Sequence, residues 1–200
     1  MLSIDSAQYG LDTVIKDSYS HNIPMINVRT MEVIQQLLKY EQPRSILEIG
    51  TGLGFSCMSM LCVTDNETVI TTIEKNVKRV EYVRNHIKEY GIEEKVIVLC
   101  GDALSLMPEL NLKFDFVLLD GVKSEYSAYM EILFDKIVTN GLLVADNVLL
   151  EKRHKSIGVD LPKYQNTYSG LKNFLGIIFD CHWSSVILDV GDGLSISRKV

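Results

Sequence analysis

The chain has 200 residues, with 20 Lys and Arg against 26 Asp and Glu, a net charge of −6 and a pI near 5.2. Its 46% hydrophobic and 23% charged content is that of a folded globular chain, which excludes wholesale disorder. Bulk-charge affinity for nucleic acid, which needs clustered Lys and Arg, is excluded too, although a local basic patch is not.

The length fits one domain spanning residues 1–200, at roughly 150 residues per domain. Residues 1–43 read as a helical extension, clearest at 31–38 (MEVIQQLL), and Pro43 breaks it before the first strand. The core is expected over 44–200. Short apolar runs at 45–49 (SILEI), 69–73 (VITTI), 96–99 (VIVL), 114–119 (FDFVLL) and 142–145 (LLVA) suit central strands of a parallel sheet, covered on both faces. Segments of helical period lie between them. Residues 77–90 put Val77, Val80, Val83, Ile87 and Tyr90 on one side and Lys78, Arg79, Glu81, Arg84 and Lys88 on the other, with Gly91 as the stop. Residues 126–138 (YSAYMEILFDKIV) are a second such segment, closed by Asn140-Gly141.

Two last apolar runs, 183–188 and 194–197, are separated only by Asp189-Val190-Gly191-Asp192-Gly193, so they must pair antiparallel. The expected fold is therefore α/β: a Rossmann-like, doubly wound, mostly parallel seven-stranded sheet finished by a C-terminal antiparallel hairpin. The least regular stretch is 151–167, which carries Lys152-Arg153-His154-Lys155 and Pro162.

Cys57, Cys62, Cys100 and Cys181 form no CxxC pair and have no His at ligand spacing, and read as buried free thiols. The opening MLSIDSAQYGLD has no basic segment followed by an apolar run, so no signal peptide is expected. No apolar stretch approaches the roughly 18 residues that span a bilayer, and a cytoplasmic location without membrane contact is expected. His21 and His182 read as structural, and His86 falls on the polar side of its helix.

The first strand runs into Glu48-Ile49-Gly50-Thr51-Gly52-Leu53-Gly54, with an apolar helix continuing over 55–63. Glycines at the carboxyl end of a first strand let a ligand approach the backbone at a helix N-terminus. A phosphate-binding P-loop needs Gly-Lys-Ser/Thr, which is missing, and a dinucleotide fingerprint would need glycine where Phe55 stands. The remaining pattern, E-x-G-x-G-x-G, resembles the first motif of class I methyltransferases that bind S-adenosylmethionine; an ordinary tight turn is the alternative. Glu74 ends the second strand, where a carboxylate can accept both hydroxyls of a ribose. Asp102 and Ala103 end the third, where methyltransferases of that class place an acid near the adenine amino group.

Asp120 ends the fourth strand and Asp146-Asn147 the fifth. Neighbouring carboxyl ends open on one crevice, and two carboxylates with an amide oxygen suit a hard cation such as Mg²⁺. Simple turn capping is the alternative. Taken together, EIGTGLGFS, the IEKN segment at Glu74, GDAL, LLDGVKSEY, VADNVLL and the closing GDGLSIS make residues 45–200 similar to the metal-dependent O-methyltransferases, the catechol and caffeoyl-CoA enzymes and their bacterial relatives.

The resemblance implies S-adenosylmethionine at Glu48, Gly50, Gly52, Gly54, Ser56, Glu74, Asp102, Ala103 and Asp120. It further implies Mg²⁺ or another divalent cation on Asp120, Asp146 and Asn147, and a catalytic pair of Lys123, as general base, with Asp120. A helix-start surface lysine is the alternative for Lys123. The expected activity is methyl transfer to a hydroxyl of a catechol-like small molecule, by a homodimer. Gly121-Val122 and the stretch 151–167 depart from the pattern of relatives, and the latter leaves the acceptor open. Met25 and Ile26 fall where relatives border cofactor and substrate, with structural packing as the other reading. Lys152-Arg153-His154-Lys155 could meet phosphates, which keeps transfer RNA, methylated at 5-hydroxyuridine, as an alternative acceptor. A non-catalytic cofactor-binding or dimerisation module is the alternative of another class.

Overall fold

Side chains alternate across a strand, so a strand whose every position is apolar needs cover on both faces. The computed structural model, which describes residues 8–158 and 162–200, has that arrangement. The first seven residues, on which part of the signal-peptide and helical-extension readings rests, lie outside the described residues, as do 159–161 of the irregular stretch.

Helices α1 (Leu11–Ser20) and α2 (Val28–Glu41) precede β1 (Ser45–Ile49), and the chain continues through α3 (Phe55–Leu61), β2 (Val69–Glu74), α4 (Val77–Glu89), β3 (Val96–Cys100) and the short α5 (Ala103–Leu106). Then come β4 (Phe114–Leu119), α6 (Tyr126–Lys136), β5 (Ile137–Asp146), α7 (Leu150–Ser156), α8 (Gln165–Ile178), β6 (Trp183–Leu188) and β7 (Leu194–Lys199). The described residues form one seven-stranded sheet of order β3-β2-β1-β4-β5-β7-β6, parallel except for β7, which is antiparallel to both its neighbours. This is the Rossmann-like, doubly wound fold, and the strand order reverses between β1 and β4.

Two cores follow from the strand period. Ile46, Ile70, Phe116, Leu118 and Val144 face α1 to α4, while Leu47, Ile49, Val117, Leu119 and Leu143 face α6 and α8. Local chemistry sets the helix starts: the Asn76 side chain accepts from the backbone N–H groups of Lys78 and Arg79, and that of Asn27 accepts from Arg29.

Four readings are corrected. Helix α6 stops at Lys136 and β5 begins at once with Ile137, five residues before the apolar run that marked it. Ile137 pairs with Phe114 across a bulge, and Lys199 Nζ donates to its carbonyl at 3.0 Å, so sheet pairing overrides a helical period that would have continued. Of the four cysteines only Cys57 is buried; Cys62 is half-buried, and Cys100 and Cys181 are exposed. His86 is buried, with Nε2 2.7 Å from the Tyr9 carbonyl and its ring between Tyr82 and Tyr90, because α1 and the turn before it cover that side of α4. His21 and His182 are both exposed. The buried sides of α1 and α2 pack against this chain's own α3 and α4, and among the described residues no helix is long and apolar enough to cross a membrane.

Candidate active site

The glycine loop and the end of β4 touch. Gly50 has φ of +101°, and a Cβ there would lie 2.5 Å from the Asp120 carbonyl oxygen, so only glycine lets the two strand ends approach this closely. Glu74, at the end of β2, is nearly buried and accepts from the backbone N–H groups of Gly52 (3.1 Å) and Asn76 (2.8 Å). Two fixed donors orient that carboxylate and leave it lone pairs for a diol. Asp102 accepts from the Ser105 backbone and so caps α5. A cavity of about 320 Å³ opens above these loops; Gly50, Gly52, Glu74, Asp102, Ala103 and Asp120 all line it.

Glu48, Gly54 and Ser56 do not line that cavity. Glu48 pairs in register with Thr72 and points away from the cavity, towards α3, where it accepts from the hydroxyls of Ser56 and Thr72. It is fully buried, and burial pushes its carboxyl up to about 7, against the pull of the two hydroxyls. Because the folded value lies above the unfolded one, the native state binds the extra proton between pH 4.5 and 7, and stability falls as pH rises through that window. The loss is on the order of 3 kcal/mol. Glu48→Gln removes the titration and is expected to flatten that slope. Urea melts at pH 5, 6, 7 and 8 check this, and parallel slopes in both proteins would refute it.

A second cavity, of about 300 Å³, adjoins the first and shares Pro24, Asp120 and Lys123 with it. Asp146, Asn147 and Asp192 line it too, under a roof of Met25, Ile26 and Asn27 from the α1–α2 connection. Lys123, at the start of a 3-10 turn, sets Nζ 2.7 Å from Asp120 Oδ1. Asp146 is 3% exposed, and its Oδ1 has no hydrogen-bond partner. Burial first, and then the Asp120 charge, push its carboxyl up to about 7.

A family model described as O-methyltransferase matches residues 4–200. The chain belongs to the O-methyltransferase family. It is an S-adenosylmethionine-dependent methyltransferase of the type that includes the caffeoyl-CoA and catechol enzymes. A caffeoyl-CoA O-methyltransferase of Stellaria longipes is 23% identical over 96% of this chain and 89% of its own length. A catechol O-methyltransferase of Mycobacterium tuberculosis is 31% identical over 54% of this chain and 50% of its own. The solved O-methyltransferase from Bacillus cereus in complex with SAH superposes with a TM-score of 0.85 at 22% identity, covering 100% of this chain and 93% of that one, and shares the fold.

In this O-methyltransferase several positioning residues had been given no role from the sequence. The buried Tyr126 hydroxyl donates to the Leu119 carbonyl at 2.9 Å and lies 3.3 Å from that of Asp146, tying together the ends of β4 and β5 from which Asp120 and Asp146 project. Gly170 in α8 lets that helix lie against the Lys123 turn; a Cβ there would meet the Lys123 carbonyl at 2.8 Å. Glu125 and Tyr129, hydrogen-bonded at 2.6 Å, complete the wall of the first cavity. A spacing of four from Glu125 to Tyr129 and of 47 from Lys123 to Gly170 would not have revealed these roles, because each works through a contact in space.

The basic run at 152–155 is internally paired. Lys152 Nζ lies 3.2 Å from Asp189, the Arg153 guanidinium also bonds Asp189, and Lys155 pairs with Glu151. His154 bonds the Tyr168 hydroxyl at 2.7 Å.

Among the described residues no three His, Cys, Asp or Glu side chains gather as a metal cluster. A cation would instead rest on two carboxylates and an amide. The unpartnered, buried Asp146 Oδ1 and the unfavourable approach of Asp120 fit that donor set, because a cation would satisfy the one and offset the other.

Proposed function

We propose that the protein methylates a hydroxyl of a catechol-like small molecule, using Mg²⁺ or another divalent cation held by Asp120, Asp146 and Asn147, with Lys123 as general base. The observation that carries this reading is the junction of the two cavities. Asp120 and Lys123 line both, so a donor above the glycine loop and an acceptor beneath residues 25–27 would meet beside the same two side chains.

When bound, S-adenosylmethionine supplies an electrophilic methyl group and the cation supplies positive charge that favours an ionised hydroxyl. The chain's own residues do the rest. Glu74, fixed by Gly52 and Asn76, would hold the ribose hydroxyls, and Asp102 with Ala103 would border the base. The Lys123 Nζ would take the acceptor proton from within the shared wall, and Met25 and Ile26 would exclude water above it. Alignment of the two reactants supplies much of the acceleration, as for in-line displacements generally.

The pairing of Lys152, Arg153 and Lys155 with acidic partners favours a small acceptor over transfer RNA, since each of these cations already has a counter-charge. The reading includes a homodimer by resemblance, which sedimentation equilibrium tests. The decisive assay is methyl transfer to a panel of catechols and to 5-hydroxyuridine RNA, with Mg²⁺ and with EDTA. Catechol products that vanish with EDTA are expected. Undiminished turnover in EDTA would sink the metal-dependent reading, and turnover of the RNA alone would replace the acceptor.

A further inference from the structure

We infer that Arg153 is a positioning residue for the acceptor side of the active centre, holding the β6–β7 turn so that Asp192 and Asn147 stay in place. The inference rests on the proposed cation site. Arg153 projects from α7, and Nε donates to the Gly191 carbonyl at 3.1 Å while its terminal nitrogen bonds the Asp189 carboxylate. Lys152 adds a second donor to Asp189 at 3.2 Å. A planar guanidinium that meets two acceptors on one turn fixes its orientation in a way a single ammonium does not.

The turn held in this way is pressed onto the strand end that carries the site. The N–H groups of Val148 and Leu149 donate to the carbonyls of Gly193 (3.0 Å) and Asp192 (2.8 Å). A Cβ on Gly193, whose φ is +94°, would lie 2.5 Å from Leu149 Cγ, so the approach is as close as glycine permits. On the other side a Cβ on Gly191 would lie 2.5 Å from the Thr30 hydroxyl of α2. Asn147 adopts the left-handed region at φ of +64°, and its amide nitrogen lies 3.5 Å from Asp192 Oδ2. The hydrogen bond of the Asn147 amide reaches Asp192 on this turn, so the turn is what would set the direction of that amide. The basic run thereby has a use within the fold.

The sign of the effect separates this role from electrostatics. Deleting a cation near a metal site strengthens cation binding through charge alone, whereas loosening the turn weakens it. The test is Mn²⁺ binding followed by electron paramagnetic resonance of the free ion, alongside calorimetric binding of S-adenosylhomocysteine, for wild type, Arg153→Met and Arg153→Lys. Arg153→Met is expected to weaken Mn²⁺ binding about three- to tenfold and to leave S-adenosylhomocysteine affinity unchanged. Arg153→Lys should lose less, and it carries the comparison should the methionine variant not fold. Unchanged or tighter Mn²⁺ binding in the variants would overturn the inference, as would equal losses for both ligands. Wild-type protein that binds no Mn²⁺ would instead overturn the cation site itself.

Discussion

Replacing Lys123 by methionine is expected to lower kcat for methyl transfer by about 10²- to 10⁴-fold, the usual contribution of a positioned general base. S-adenosylhomocysteine affinity should change little, because Lys123 meets the first cavity only at the wall it shares with the second. The close contact of α8 with this turn is to the backbone of Lys123 and Ser124, which the substitution leaves in place, so the loss is one of chemistry. Arginine should not rescue the rate, since a guanidinium holds its proton at any accessible pH. Single-turnover rates with a catechol acceptor, together with calorimetric binding of S-adenosylhomocysteine, measure both halves. A loss below tenfold, or full activity with arginine, would remove Lys123 from the mechanism.

Asp146→Asn should have two opposite effects. Activity is expected to fall by about 10²-fold or more, roughly 3 kcal/mol of transition-state stabilisation, because a neutral amide is a poorer partner for a divalent cation than a carboxylate. Metal-free protein, by contrast, should become more stable by about 1–3 kcal/mol at pH 8. The wild-type side chain is 3% exposed, leaves one oxygen without a partner and is repelled by Asp120, and the isosteric amide relieves the charge without opening a cavity. Such a trade of stability for function is expected where a site holds charge for an absent ligand. Urea melts in EDTA and initial rates in Mg²⁺ read the two effects. A variant that is both less stable and fully active would contradict the assignment of Asp146.

Much of the fold was legible because its signals are local. Apolar runs bounded by Gly-Asp, Asp-Gly and Asp-Asn marked strand ends, and the glycines after β1 marked the crevice, since a turn must be paid for by residues within a few positions of it. The closing Gly191-Asp192-Gly193 marked the hairpin for the same reason. What strand topology adds is convergence: parallel neighbours bring Gly50, Glu74, Asp102, Asp120 and Asp146 to one edge although they are spread over almost a hundred positions.

The direction of a side chain at such an edge was not legible. Glu48 shares the motif with Gly50, yet strand parity turns it towards α3 and into the protein interior, where Ser56 and Thr72 meet it. His86 read as polar-facing until the start of the chain covered it, and Lys152 and Arg153 read as part of a run that could meet phosphates, whereas Asp189, 37 and 36 positions away in sequence, lies beside them in space.

The opening charge of −6 belongs to the sequence alone, as do the strand order of the carboxylates and the glycines that let backbones meet. Tertiary structure decided which charges are exposed, which are paired and which are left buried without a partner. Those properties depend on distance and desolvation across the sheet, and neither is a function of position along the chain.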